Sequence, residues 1–354
     1  MAKPSLTEIA TRHQVFLEQL KTGEARKFSA VLKKADKAII QILSALGEPD
    51  ISTIQKSTLN ALLRKLKKAQ EVILLKNTKT FMDSLKEISA SEAGFEQRAL
   101  RRGIDGAGIT VKSGSLNTAY AKALSEPLSA TGELVTPFVK AWSDYQVAAV
   151  NNAVSQAWVN GQTMNELFQA VRGTRANGFN DGIIGTSRRH AESIARTAVQ
   201  HTSSKARQAV WEANKDIVER YRYVATLDKV TSAKCRGLDG REFVLGKGPM
   251  PPVHINCRST TVAVLPKELQ AFEEGATRAA RGTTGGKAPA KQTYYQWLQK
   301  QSAGFQDQAI GRERGKLLRS GKISATKFGK LSLDSNFKPR TLEQMQRIEP
   351  LLFE

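Results

Sequence analysis

Tyr221-Arg222-Tyr223-Val224-Ala225-Thr226 is the first stretch of this 354-residue chain in which side chains alternate with a period of two. It divides a long helical sequence from a short region of strands. Just upstream, Ile194, Val199, Ala206, Val210 and Trp211 predict a long helix from about Ser187 to Asn214. Helical texture also covers 118–172. Downstream, Asp239-Gly240 is a hairpin turn signal between Leu238 and Arg241-Glu242-Phe243-Val244-Leu245, and Ser259 to Leu265, rich in Thr and Val, predicts a third strand. The fold class expected is α+β, mainly α, with a small antiparallel sheet packed on the helix before it.

Further out, the first hundred residues read as two long amphipathic helices. Ser5 and Glu8 have capping-box spacing, and Leu6, Ile9, Phe16, Leu20, Phe28, Val31, Leu32, Ile39, Ile40 and Leu43 follow at helical intervals. Gly47-Glu48-Pro49-Asp50 stops that run. A second helix is expected from near Ser52 or Thr53, with Leu59, Leu62, Leu63, Leu66, Ile73, Leu74, Phe81 and Leu85 on one face and lysines on the other. Gly103, Gly106 and Gly108 read as a loop; no apolar strand precedes them, so they are not read as a phosphate cradle.

At the other end, Gly275 to Gln292 is Gly/Ala/Thr-rich and apolar-poor, the composition of a flexible linker. A short module follows with Tyr294, Tyr295, Trp297, Leu298, Leu317, Leu318, Phe328 and Leu331, few enough apolar residues that it is expected to dock on another part. The divisions expected are a helical hairpin over 1–102, a middle domain of helices and sheet over 103–268, a linker over 269–292 and a small module over 293–354.

Lysine and arginine number 54 against 33 acids, a net charge of +21. The excess is spread along the chain, +6 over 1–100, +8 over 101–270 and +7 over 271–354. A sequence-specific reader concentrates charge on one element, whereas diffuse charge suits binding to packed double-stranded DNA through its phosphates. A basic surface also serves solubility. Two cysteines in so long a chain exclude a disulfide scaffold and fit a reducing compartment. Met1-Ala2-Lys3-Pro4-Ser5 lacks the apolar stretch of a secretory leader, and no run of ~18 apolar residues is present, so no membrane association is expected.

The densest cluster of chemistry-bearing residues is Leu227-Asp228, Cys235, Leu238-Asp239-Gly240, Phe243, and Pro251-Pro252-Val253-His254-Ile255-Asn256-Cys257-Arg258-Ser259. Three readings compete. Cys235, His254 and Cys257 are ligands of the sort zinc takes, but a closed site needs a fourth, which Asp228 or Asp239 would have to supply. A nucleophilic thiol would be Cys257 with His254 as base and Asn256 or Asp239 orienting it, yet no oxyanion signature accompanies them. The third reading is structural: small buried cysteines, an extended Pro251-Pro252 approach, and His254 and Arg258 holding loops by hydrogen bonds. The structural reading is preferred, with no catalytic residue and no cofactor assigned.

Taken in order, the region resembles the phage head morphogenesis family, the Mu F-like minor head proteins. The resemblance runs from Gly161-Gln162-Thr163 through Ile194-Ala195-Arg196-Thr197, Tyr223, Leu227-Asp228, Thr231 and Cys235 to Leu238-Asp239-Gly240 and Phe243. It ends in Pro251-Pro252-x-His254-x-Asn256-Cys257-Arg258-Ser259, so it covers roughly 160–265. Trp297-Leu298, Gln308, Gly311, Arg314, Leu317, Phe328 and Thr341-Leu342 resemble an extension found in some members. The likeness implies a structural role for Arg196, Thr197, Asp228, Cys235, Asp239, Gly240, Phe243, Pro252, His254, Asn256, Cys257 and Arg258. It implies a minor capsid component inside the phage head near the portal, made in the host cytoplasm and acting in head assembly and in handling or ejection of packaged DNA. Its partners would be the portal protein, capsid or scaffold proteins and DNA. Many members end the motif Cys-Arg-Cys, where this chain has Ser259; the missing thiol weakens the metal reading and leaves Cys235 and Cys257 as the one disulfide pair available. The alternative is a nucleic-acid-directed enzyme, a nuclease or toxin-like module, using His254, Cys257 and Asp239.

Overall fold

The structure, a computed structural model, describes residues 4–105, 107–112, 115–266, 268, 275–283 and 286–353. Two long helices open the chain, α1 (Leu6–Ser44) and α2 (Lys56–Gly103). Ser5 Oγ accepts from the Glu8 amide at 3.1 Å and caps α1, while the Glu8 carboxylate pairs with Arg12 at 2.5 Å instead of closing a capping box. Between the helices, Ile51–Thr53 form a 3₁₀ turn started by Asp50, whose Oδ1 accepts from the Ser52 amide at 2.9 Å. That turn displaces the start of α2 from the expected Ser52 or Thr53 to Lys56.

The helical texture of 118–172 resolves into α3 (Leu116–Ser125), α4 (Val135–Val159) and α5 (Met164–Arg172), and the long helix α6 runs Ile183–Ala213. Helices α1, α2, α3 and α4 all pack against α6. Its second half is therefore surrounded, and every residue from Thr197 to Trp211 is buried. Phe28, Leu74, Phe81, Leu85, Val139, Trp142, Ile194 and Val199 form one core shared by these helices. Trp142 meets Phe28 edge-on at 4.9 Å and donates from its indole N–H to the Ser187 carbonyl at 3.0 Å.

The sheet has the order β2-β1-β3, with β1 (Arg220–Val224) between β2 (Glu242–Val244) and β3 (Thr260–Val264), both antiparallel. Tyr221 sits opposite Phe243 on one side and Ala263 on the other. Leu238 is not the end of a strand, as the hairpin expectation had it. It closes a short helix, α7 (Ala233–Leu238), and the Asp239-Gly240 turn then brings the chain back so that Gly240 N–H donates to the Tyr223 carbonyl at 2.8 Å. Gly240 has φ +79, and a Cβ there would lie 2.8 Å from Thr293 Cγ2.

The stretch read as a linker is corrected where it is described. β4 (Thr277–Ala279) and β5 (Lys287–Pro289) pair antiparallel, and within β4 Arg278 is 3% exposed. Small residues without apolar bulk have the composition of flexible chain, but this segment is anchored by one buried ion pair that composition does not register. Beyond it come α8 (Tyr294–Gln299), α9 (Ala303–Ile310), α10 (Arg312–Arg319), α11 (Ala325–Leu331) and α12 (Leu342–Ile348). Tyr294, Trp297, Leu298, Leu318 and Phe328 make their own core, which takes in Leu227 from the loop after β1.

Candidate functional site

The start of α7, the loop 251–258 and the first residue pairs of β3 meet beside β1. Ser232 Oγ accepts from the Cys235 amide at 3.3 Å, which seats Cys235 in the first turn of α7. Cys235 Sγ lies 3.8 Å from Cys257 Sγ and 3.1 Å from His254 Nε2, and one ligand-type atom from each residue falls within 4.8 Å of the others. Both thiols are buried and unbridged, and His254 is half-buried. The Tyr223 hydroxyl, fully buried, sits 3.1 Å from Cys235 Sγ. His254 Nδ1 lies 2.8 Å from the Ile255 carbonyl. A carbonyl only accepts, so Nδ1 carries a proton and donates to it, and Nε2 faces the thiols.

Electrostatically the two thiols differ. Burial pushes Cys235 well up. Burial acts the same way on Cys257, but hydrogen bonds from Cys235 and His254 outweigh it and hold Cys257 well below the usual thiol range. The bond to Cys257 in turn raises His254.

The surrounding loops are tied by side chains from distant parts. Arg258 makes a two-pronged ion pair with Asp228 at 2.5 and 3.0 Å, and Asp228 Oδ1 also accepts from the Val230 amide and Thr231 Oγ1. Burial raises the Asp228 carboxyl, yet the Arg258 guanidinium holds it below the ordinary range. Asn256, at φ +59, donates from its backbone N–H to Thr197 Oγ1 at 3.0 Å and from Nδ2 to Ser193 Oγ at 3.1 Å. From α1, the wholly buried Lys21 reaches the Cys257 carbonyl at 3.1 Å, Gln200 Oε1 at 2.5 Å and Glu18 at 2.5 Å, and Glu18 also pairs with Arg196.

The structure thus brings together Cys235, His254 and Cys257, and leaves both expected partner carboxylates out. Asp239 is turned away: its oxygens accept from the Ala225 amide at 2.6 Å, the Tyr294 amide at 2.6 Å and the Arg278 guanidinium at 3.0 and 3.1 Å. Asn256 does not orient His254, since a backbone carbonyl does. Phe243 packs beside Tyr221 and Phe337, and Pro252 is buried after a cis Pro251–Pro252 bond. Sequence reasoning missed Lys21, Glu18, Tyr223's place against the sulfurs, and Arg278. It also missed Arg207, which is 1% exposed and joins α6 to Thr260 Oγ1, the Thr261 carbonyl and Glu96. Only the unusual Arg and Lys inside the α6 and α1 apolar patterns could have signalled such anchors.

Residues 148–262 match the family model described as Phage Mu protein F like protein. The match begins within α4, earlier than the motif reading placed it, and ends in β3. Comparison with curated proteins and with solved structures returned no match. The matched segment contains α6, most of the sheet and the whole Cys235, His254, Cys257 cluster, and over that segment the chain is similar to the Mu F-like phage head morphogenesis proteins.

Proposed function

We propose that this chain is a minor head protein that sits inside the phage head against the portal, contacts packaged DNA without reading its sequence, and assists its passage. The observation that carries the reading is the Mu F-like match over 148–262. The charge adds to it: Lys33, Lys34 and Lys37 on α1 and Arg64, Lys65, Lys67, Lys68, Lys76 and Lys79 on α2 lie on the outer faces of the two long helices. Such a surface neutralises phosphates wherever it meets them. Among the described residues no helix is long and apolar enough to cross a membrane.

A structural role is compatible with the family and with the geometry. The enzymatic alternative needs Asp239 beside His254, and that carboxylate is spent on Arg278 and two backbone amides. The test is to treat intact, DNA-filled particles with external protease and nuclease and look for the chain by mass spectrometry. Protection together with the packaged DNA supports the reading; absence from particles, or digestion with the outer surface, overturns it.

A further inference from the structure

The cluster of Cys235, His254 and Cys257 has the shape of a metal site independent of any role in the head. In a tetrahedral zinc site with Zn–S near 2.3 Å, two sulfurs stand about 3.8 Å apart. Cys235 Sγ and Cys257 Sγ are 3.8 Å apart, without a bond between them. His254 Nε2 faces them, and its other nitrogen donates to the Ile255 carbonyl at 2.8 Å. A backbone carbonyl on the far nitrogen is how a metal-bound imidazole is ordinarily held in one tautomer and one orientation. The buried Tyr223 hydroxyl, 3.1 Å from Cys235 Sγ, is placed to donate to a bound thiolate.

The fourth position is also present. A cavity of about 40 Å³ opens beside the cluster, bounded by Thr231, Ser232, Ser259 and Arg258, polar and large enough for a water molecule. No carboxylate competes for it, because Asp228 is held by Arg258 and Asp239 by Arg278. The geometry points to a zinc(II) ion held by Cys235, His254 and Cys257, with a water in that cavity as its fourth ligand. Two thiolates cancel the charge of the ion, so the buried site is neutral overall. Each thiol protonated beforehand releases its proton as the Zn–S bond forms, and nothing is oxidised or reduced. The ion clips α7 to the 254–257 loop that leads into β3.

Cobalt(II) and zinc(II) titration of the full, phosphine-reduced chain tests this. One equivalent of cobalt is expected to give the absorption of a tetrahedral thiolate complex, bleached by one equivalent of zinc. Cys235→Ser and Cys257→Ser should each cut the thiolate band by at least half. Should either cysteine variant fail to fold, His254→Ala, on a half-exposed loop, should retain helical circular dichroism and lose at least the roughly 10–100-fold in affinity that an outer-sphere partner contributes. Ser259→Cys places a third thiol on the cavity wall and should raise the charge-transfer intensity by about half, three thiolates in place of two. Reduced protein that leaves cobalt in its octahedral aqueous form, or a thiolate band unchanged in Cys235→Ser, overturns the proposal.

Discussion

The Asp239 carboxylate joins three parts of the chain at once: the end of β1 through the Ala225 amide, the β4–β5 pair through Arg278, and the start of α8 through the Tyr294 amide. Its side chain is 0% exposed, so removing it leaves the Arg278 charge buried alone. Asp239→Ala is therefore expected to cost about 3–5 kcal/mol, read as a lowered urea midpoint; a change within ~0.5 kcal/mol would show that the pair does not hold these parts together. Gly240→Ala combines positive φ with a 2.8 Å approach to Thr293 and is expected to cost about 1–3 kcal/mol by the same measurement. His201, buried in α6 with Nε2 donating to the Ala123 carbonyl at 2.9 Å, has its pKa pushed down to about 4, chiefly by burial. The unfolded chain then binds the extra proton first, so stability is full above about pH 6.5 and falls as pH drops toward 4, by up to about 3 kcal/mol. His201→Gln should flatten that part of the stability–pH curve; an unchanged slope contradicts the assignment. At this scale the sequence was only half legible. Asp239-Gly240 declared a turn through its residue types, but its ion-pair partner lies 39 residues away in a stretch with no apolar signal.

At the level of elements, helix type and order could be read because the apolar spacing of α1, α2 and α6 follows the helical period. What could not be read is that α6 is covered on every side from Thr197 to Trp211. Its Gln200, His201, Lys205 and Arg207 look like a solvated face, yet each is satisfied by another element: Lys21 on α1, Ala123 on α3, Glu126 after α3, and Thr260 on β3. Such pairings arise only when the helices assemble, and local periodicity carries no record of them. The same pairings make α1 part of the site, since Lys21 holds the Cys257 carbonyl. Neither the 1–102 hairpin nor the C-terminal module is a detachable arm for deletion experiments, because Arg236 also reaches the Ala309 carbonyl and Tyr294 the Asp228 carbonyl. Trp142→Ala, which empties the shared core and strands the Ser187 carbonyl, is expected to cost about 3–5 kcal/mol in a single cooperative transition. Loss of the α1 signal at a separate denaturant concentration from the α6 signal would contradict a shared core.

Over the whole molecule, the +21 charge is the property most plainly written in the sequence, and the cations along α1 and α2 show where a share of it faces outward. Binding to mixed-sequence double-stranded DNA is expected to weaken linearly in log–log form with salt. Replacing Arg64, Lys65, Lys67 and Lys68 by Gln should shallow that slope by about 0.9 for each phosphate these side chains neutralise. Sequence preference that survives the replacement would point to base readout instead. The portal contact is the claim on which the functional account turns, and co-purification of this chain with the matching portal protein, at moderate salt and with nuclease present, tests it most directly. The account predicts that the two stay together after every nucleotide has been digested. Separation on digestion would mean that DNA alone bridged them, and would contradict a protein–protein contact at the portal.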